Sequence, residues 1–338
     1  MTKPRKNELV LAGDIGGTKT NLGLFVMGKK RPDPLVVESF PSREAPRLET
    51  LVARFLRSHP ASISSACFGI AGPVINGWSR TTNLPWVVSE AQIKRRFHWP
   101  NVRLLNDLAA AAMALPLLRP GEQVPLNKGI PQGKGNLALL SPGTGLGQAF
   151  LVYSNGEYVP LSSEGGHVSF SPATEPEIDL WRYLRKKFGH VSVERVLSGP
   201  GLVNIYSWLR DSGRFKEPPW LKALLKQGDP AQVISENALR KRQALCAKSL
   251  RFYVSMLGSA AGNLALTAMA VGGVYLGGGI APKILPALKQ GSFLESFMAK
   301  GRFSNLLARI PVQVILNDKA ALLGAAHAAF QALESNPP

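Results

Sequence analysis

Leu9-Val10-Leu11-Ala12-Gly13-Asp14-Ile15-Gly16-Gly17-Thr18 places an apolar run directly before a glycine-rich turn, and Asn21 to Met27 follows with the rough alternation of a second strand. Strand, turn and strand in that order read as a β-hairpin with the glycines at its tip. The arrangement returns at Gly143-Thr144-Gly145-Leu146-Gly147, entered by Asn136 to Leu140 and left by Gln148 to Tyr153. Glycine can visit positive φ and lets backbone amides converge on an anion at close range. The two turns therefore read as halves of one phosphate clamp, and phosphoryl transfer is the leading chemistry. Asp14 could not face bound phosphates without repulsion, so its carboxylate suits Mg²⁺ held through water, because magnesium dehydrates reluctantly. A P-loop is a near miss: it needs G-x-x-x-x-G-K-[ST], whereas Thr18 stands five places after Gly13 and the chain continues as strand. Either turn taken alone would be an ordinary hairpin loop.

Working outward, Ser42 to Pro60 carries Leu48, Leu51, Val52, Phe55 and Leu56 at helical spacing. Ile63 to Ile70 reads as a buried strand, and Val102 to Leu105 as another that runs into Asn106-Asp107 and an alanine-rich helix from Leu108. Strands alternating with helices give the α/β class. Leu104-Leu105-Asn106-Asp107-Leu108-Ala109-Ala110 is echoed by Ile315-Leu316-Asn317-Asp318-Lys319-Ala320-Ala321, each reading as strand, Asn-Asp, helix, so two related α/β units are expected. Phe188 to Leu250 reads as helices decorating the second unit. Val274-Tyr275-Leu276 is a short strand entering a third glycine turn, Gly277-Gly278-Gly279-Ile280, with a helix expected after Pro282.

At 338 residues the chain fits two domains. Its 40 Lys and Arg against 22 Asp and Glu give a formal charge of +18, which raises the question of a polyanionic partner. The basic runs Lys29-Lys30-Arg31, Lys94-Arg95-Arg96, Arg185-Lys186-Lys187 and Arg240-Lys241-Arg242 are scattered and lack interleaved aromatics, which disfavours nucleic acid and favours solvated faces. Cys67 and Cys246, the two cysteines, fit neither a zinc site nor a disulfide framework, and the expected setting is the reducing cytoplasm. Met1 to Asn7 is polar and no long apolar run follows, so no signal peptide is expected. Ser255 to Pro282 carries no charge, yet Asn263 and its glycines argue for a buried helix, a turn and a short strand rather than a membrane span.

The candidate chemistry falls on a few side chains. Asp107, where a strand ends and a helix begins, is the candidate general base for a phosphoryl acceptor hydroxyl. Read locally, Asn-Asp before an alanine run is more often a helix cap, and the residues alone do not say which of the two pairs is catalytic. Ser163-Glu164-Gly165-Gly166-His167 puts a carboxylate and an imidazole on a flexible turn, and Glu194 precedes a Ser-Gly-Pro-Gly turn. Together with Asn106-Asp107 they would suit a polyol, each polar group meeting one hydroxyl.

Eight motifs follow one another in the order seen in bacterial glucokinases: Gly13 to Thr18, Phe68-Gly69-Ile70-Ala71-Gly72-Pro73-Val74, Thr82-Asn83-Leu84-Pro85-Trp86, Leu105-Asn106-Asp107, Gly143 to Gly147, Glu164-Gly165-Gly166-His167, Glu194-Arg195-Val196-Leu197-Ser198-Gly199-Pro200-Gly201 and Gly277-Gly278-Gly279-Ile280. The chain resembles that branch of the actin-like ATPase and sugar kinase superfamily over almost its whole length. The resemblance implies a two-domain actin-like (ribonuclease H-like) α/β fold with an interdomain cleft. It implies a small domain of residues 1–107 completed by a helix at 318–338, and a large domain of residues 108–317. It implies transfer of the γ-phosphoryl of ATP to the 6-hydroxyl of glucose, with Asp107 as base. Asn106, Glu164, His167, Glu194, Gly72, Pro73 and Asn83 would then lie at the sugar. Gly13, Asp14, Ile15, Gly16, Gly17 and Thr18, with Gly143, Thr144, Gly145 and Gly147, would handle phosphates, Gly277, Gly278 and Gly279 would lie near adenosine, and Asp14 would serve Mg²⁺. Asn317-Asp318 becomes a helix cap in the second unit, and a homodimer is the implied assembly. Lys19-Thr20 departs from the Asn-Ala-Arg of many relatives, and the cysteine-rich zinc motif of the neighbouring repressor and kinase group is absent. The high positive charge leaves polyphosphate open as a donor beside ATP.

Overall fold

The computed structural model describes residues 8–130, 132–240 and 243–335. The N-terminal segment 1–7, positions 241 and 242 of the third basic run, and the last residues of the helix expected to reach 338 lie outside them. The chain divides into two compact units. One comprises the chain up to Pro120 with Ser154–Ser162 and the segment from Asn317 onward, and the other Gly121–Tyr153 with Ser163–Leu316.

In the first unit β1 (Leu9–Ile15) and β2 (Lys19–Met27) form the expected hairpin, with Asp14 opposite Asn21 and Ile15 opposite Thr20. After β3 (Pro32–Pro41) comes α1 (Leu48–Ser58), which turns Leu48, Leu51, Val52 and Phe55 inward, as the helical spacing requires. Every residue of β4 (Ser65–Ile70) is buried, the mark of a strand covered on both faces. A small sheet of β5 (Val74–Ile75), β6 (Trp78–Arg80) and β7 (Val87–Ser89) precedes α2 (Glu90–Phe97), β8 (Asn101–Asn106) and α3 (Asp107–Met113). The main sheet has the order β3-β2-β1-β4-β8. Its strands β1, β4 and β8 run parallel, with Ile15, Ile70 and Asn106 level, so three strands deliver their C-terminal ends to one edge. One face packs Leu11, Phe68, Phe55, Trp86 and Ile93 into a single core under α1 and α2.

The second unit holds β9 (Gln123–Pro125), β10 (Leu137–Pro142), β11 (Leu146–Ser154), α4 (Glu175–Phe188), α5 (Gly199–Asp211), α6 (Pro219–Gln227), α7 (Pro230–Leu239), α8 (Ala244–Ala268), β13 (Gly273–Leu276), α9 (Leu285–Leu288), α10 (Ser292–Met298), α11 (Ser304–Arg309) and β14 (Val312–Ile315), while β12 (Glu157–Ser163), an edge strand of its sheet, falls in the segment Ser154–Ser162 grouped with the first unit. Its sheet order is β12-β11-β10-β13-β14-β9. Apart from the added β9, this repeats the first sheet's order: a hairpin, then two parallel strands beyond it. The duplication heard in the two Asn-Asp segments is thus present in the topology. The uncharged stretch forms the end of α8, a turn and β13, and among the described residues no helix is long and apolar enough to cross a membrane.

α12 (Ala320–Ser335) then packs against α3, β1 and β4 and belongs with the first unit. The expectation that Asn317-Asp318 caps a helix of the second unit is corrected accordingly. The cap is there, with Asn317 Oδ1 accepting from the Lys319 amide at 2.9 Å, but the helix buries its apolar face on the other sheet.

Candidate active site

At the first sheet's C-terminal edge the glycine turn is braced from within. Gly16 N–H donates to Lys19 O at 3.0 Å and Ser42 N–H donates to Thr18 O at 2.9 Å. The Ser42 hydroxyl donates to Gly16 O at 2.7 Å and lies 2.9 Å from Thr20 Oγ1. Ser42 and Thr20 are fully buried. The expectation of positive φ in the clamp is corrected: Gly13, Gly16, Gly17, Gly143, Gly145 and Gly147 all lie outside that region. These turns need glycine for room. A Cβ at Gly17 would stand 2.5 Å from Asn83 Cβ, and one at Gly145 would stand 2.5 Å from Glu194 Oε2.

Asp14 is largely buried, and Asn21 Nδ2 donates to its Oδ2 at 3.1 Å. Burial pushes its carboxyl above the usual range, against the pull of that hydrogen bond and of the Lys19 charge. A carboxylate left short of compensation is what a divalent cation relieves. Among the described residues no group of three or more His, Cys, Asp or Glu could hold a metal. One carboxylate completed by water and phosphate oxygens fits magnesium, which seldom uses an all-protein cage.

Asn106 and Asp107 end β8 and begin α3. Asn106 Oδ1 accepts from the Leu108 and Ala109 amides at 3.0 and 3.3 Å, and its Nδ2 donates to Gly72 O at 3.2 Å. Asn106 is therefore the cap, and it also pins the Gly72 loop. Asp107 Oδ1 accepts from the Leu108 amide at 2.9 Å. Strand alternation sends Asp14 and Gly69, which are level in β1 and β4, to the same face. On that face a Cβ at Gly69 would lie 3.6 Å from Asp107 Cα and 2.9 Å from Ala110 Cβ. The missing side chain lets the start of α3 settle beside Asp14. Ala71 N–H donates to Ile15 O at 3.1 Å, and Thr82 binds Ala71 O through its amide and hydroxyl, both at 3.2 Å. Exposed Pro73 and Asn83 thus sit at the same edge.

The second unit gathers the remaining candidates. Gly143 N–H donates to Gly145 O at 2.8 Å, and Gly199 at the start of α5 donates to Gly143 O at 2.9 Å. Glu194 Oε2 accepts from the Leu146 amide at 2.8 Å, so the half-buried glutamate is tied to the second glycine turn. Glu164-Gly165-Gly166-His167 is not the flexible turn its composition suggests. Gly165–His167 is a short 3₁₀ turn, and side chains at Gly165 or Gly166 would collide with Gln148 and with Leu146 O. Glu164 and His167 are exposed, and His190 Nε2 lies 3.1 Å from His167 O. The turns around His167 and Glu194 are joined by a Ser169–Ser192 bridge and by Val193 N–H donating to Val168 O at 2.9 Å. Gly277 N–H donates to Leu140 O at 2.9 Å. Gly278, at φ 73°, takes a left-handed position whose Cβ would stand 2.5 Å from Pro142 O. The second and third glycine turns are neighbours because β10 and β13 are.

Beside them a cavity of about 620 Å³ is lined by Gly143, Thr144, Gly279 and Ile280, and walled by residues of α5, α7 and α8 such as Leu202, Val203, Leu250 and Tyr253. The Tyr253 hydroxyl is buried without a hydrogen-bond partner among the described residues. This volume falls in the range of small-ligand sites. Cys67 and Cys246 take no part: burial pushes both thiols up to about 12, where no thiolate forms at neutral pH.

Each cluster of predicted residues is therefore assembled within its own unit. Sequence reading missed Ser42, Asn21 and Gly69, and it missed the helical cavity walls. Asn21 carried a signal, since it faces Asp14 one hairpin position from the turn; Ser42 and the walls carried none, because distant segments supply them.

A glucokinase family model matches residues 11–332. Among curated relatives, glucokinase of Nostoc punctiforme is 39% identical over 94% of this chain and 98% of its own, and that of Cronobacter sakazakii is 37% identical over 93% and 95%. Among solved structures, a glucokinase from an Antarctic psychrotroph superposes with a TM-score of 0.87 at 33% identity, covering 96% of this chain and 99% of that one. A Streptomyces griseus ROK family glucokinase, solved in complex with glucose and AMPPNP, shares the fold at 22% identity with a TM-score of 0.61. With two glycine-tipped hairpins, a carboxylate at the end of β8 and this full-length likeness, the chain belongs to the glucokinase family.

Proposed function

We propose that the chain transfers the γ-phosphoryl of ATP to the 6-hydroxyl of glucose, with Asp107 as general base. The observation that carries this is the level register of Ile15, Ile70 and Asn106, which sets a phosphate-type turn and a carboxylate at one sheet edge. A sugar hydroxyl is a poor nucleophile while protonated. Asp107 orients it and accepts its proton as the new O–P bond forms and ADP departs. The turn Gly13 to Thr18 and the turn Gly143 to Gly147 hold phosphates through backbone amides, and the cavity beside Gly279 takes the nucleoside. Asp14 would hold Mg²⁺, which when bound neutralises phosphate charge. Asn106, through the rest of its amide group, Glu164, His167 and Glu194 serve the other sugar hydroxyls, with Gly72, Pro73 and Asn83 shaping the acceptor side. Aligning two reactants in this way is most of what such a site can contribute.

The test is a coupled assay with glucose, ATP and Mg²⁺, extended to mannose, fructose and polyphosphate. Turnover with glucose and ATP is expected to exceed every other pair; absence of turnover with that pair ends the proposal, and faster turnover with polyphosphate replaces the donor. Sedimentation of the active enzyme checks the homodimer that family likeness implies.

A further inference from the structure

In the folded first unit one basic run, Lys94-Arg95-Arg96, brings Arg95 and Arg96 to arginines of another segment that form no run in the sequence. α1 and α2 lie on the sheet face opposite α3, and their outer sides line an open cavity of about 750 Å³ whose walls carry Arg47, Arg54, Arg57, Arg95, Arg96 and Glu49. Five guanidinium groups, set against Glu49 in the wall and Glu44 beside Arg54, leave three net positive charges there. Arg54 is 3.5 Å from Glu44 and stacks over Phe40, and Arg96 lies over Phe97. Arg47, Arg57 and Arg95 have no carboxylate within ion-pair distance among the described residues. Glu49 Oε2 is buried in the same walls without a hydrogen-bond partner among those residues.

From this arrangement we infer that the cavity is a binding site for a small hydroxylated anion carrying two phosphoryl groups, separate from the glycine turns. A phosphoryl monoester brings a charge of about −1.5 to −2, so two of them offset the three positive charges. Guanidinium forks bind phosphoryl oxygens in pairs, one helix presenting Arg54 and Arg57 and the other Arg95 and Arg96. A bare polyanion would leave Glu49 facing like charge. A hydroxyl between the two phosphoryl groups can donate to the Glu49 carboxylate where it lines the cavity. The concave shape and the carboxylate in the wall select a small molecule over an extended nucleic acid strand.

Calorimetric titration of the full chain, with glucose and a non-hydrolysable ATP analogue present at saturation to fill the active site, tests this with fructose 1,6-bisphosphate and inorganic pyrophosphate as probes. Both are expected to bind, the hydroxylated probe more tightly. Joint Arg57→Ser and Arg95→Ser substitution, which alters exposed side chains, should weaken both at least tenfold while leaving Tm and glucose turnover in place. Glu49→Gln should tighten pyrophosphate and narrow the gap between the probes. Lack of binding by either probe overturns the inference, as does binding indifferent to the double substitution, or an oligonucleotide duplex that displaces both probes at micromolar concentration.

Discussion

Asn106-Asp107 and Asn317-Asp318 stand at matching points of the two sheets, each closing the outer parallel strand of its set and opening a helix. Both asparagines cap: Asn106 Oδ1 takes the Leu108 and Ala109 amides, and Asn317 Oδ1 takes the Lys319 amide. The aspartates differ in what surrounds them. Asp107 is half-buried beside Gly69, on the face that carries Asp14, with the Gly72 loop fastened to its neighbour Asn106. Asp318 is exposed. A cap is a property of four consecutive residues, whereas a base needs a chamber, and only one of the two pairs has been given walls.

The sharpest way to break this comparison is to neutralise each aspartate in turn. Asp107→Asn should lower kcat roughly 10²- to 10⁴-fold with Tm nearly unchanged, while Asp318→Asn should stay within about twofold. Equal losses would remove the distinction. Next in size is the second glycine turn, where Gly145→Ala forces Glu194 Oε2 from its place at the Leu146 amide. Displacing a positioning group by such a distance costs on the order of 10²-fold in kcat/KM; steady-state kinetics unchanged from the parent would show that the turn tolerates the side chain.

Asp14→Asn separates stability from activity. The folded-state pKa of Asp14 is raised, so its charged form weakens the fold at neutral pH, and stability from this group declines as pH rises from the ordinary carboxylate value through the raised one. The amide should therefore raise Tm at pH 7, with the gain vanishing in acid, and lower kcat about tenfold or more by removing a magnesium-holding oxygen. A lower Tm at pH 7 would mean that the Asn21 hydrogen bond outweighs burial. The smallest effect belongs to Ser42→Ala, which removes the brace on Gly16 O. A loss of about 1 kcal/mol is expected, or roughly 2 to 4 °C in Tm, together with a higher KM for ATP and an unchanged KM for glucose. A matching rise in both constants would show that the turn is not dedicated to the donor.

Much of this was legible in the chain. The hairpins were, because glycine clusters between apolar runs have few other conformations; Leu48, Leu51, Val52 and Phe55 declared their helix by spacing. Gly69 stood inside a quoted motif, yet nothing local says that its hydrogen leaves room for Asp107. Positive φ was the wrong reason for Gly17 and Gly145, since crowding by Asn83 and Glu194 depends on segments far along the chain. The flexibility expected around His167 failed for the same cause, with Leu146 and Gln148 closing on Gly165 and Gly166. That Arg95 and Arg96 meet Arg54 and Arg57 was hidden because one-dimensional spacing does not show the adjacency of α1 and α2.

What the sequence determined by itself was every feature set by short-range stereochemistry: the turns, the caps, the helical and strand periods, and the order of motifs that marks the family. Tertiary structure decided which Asn-Asp pair is half-buried and which arginines share a cavity. The division follows from range: backbone torsions and capping hydrogen bonds answer to a few neighbours, but burial, charge compensation and room for a ligand depend on whichever distant segments the apolar core draws together.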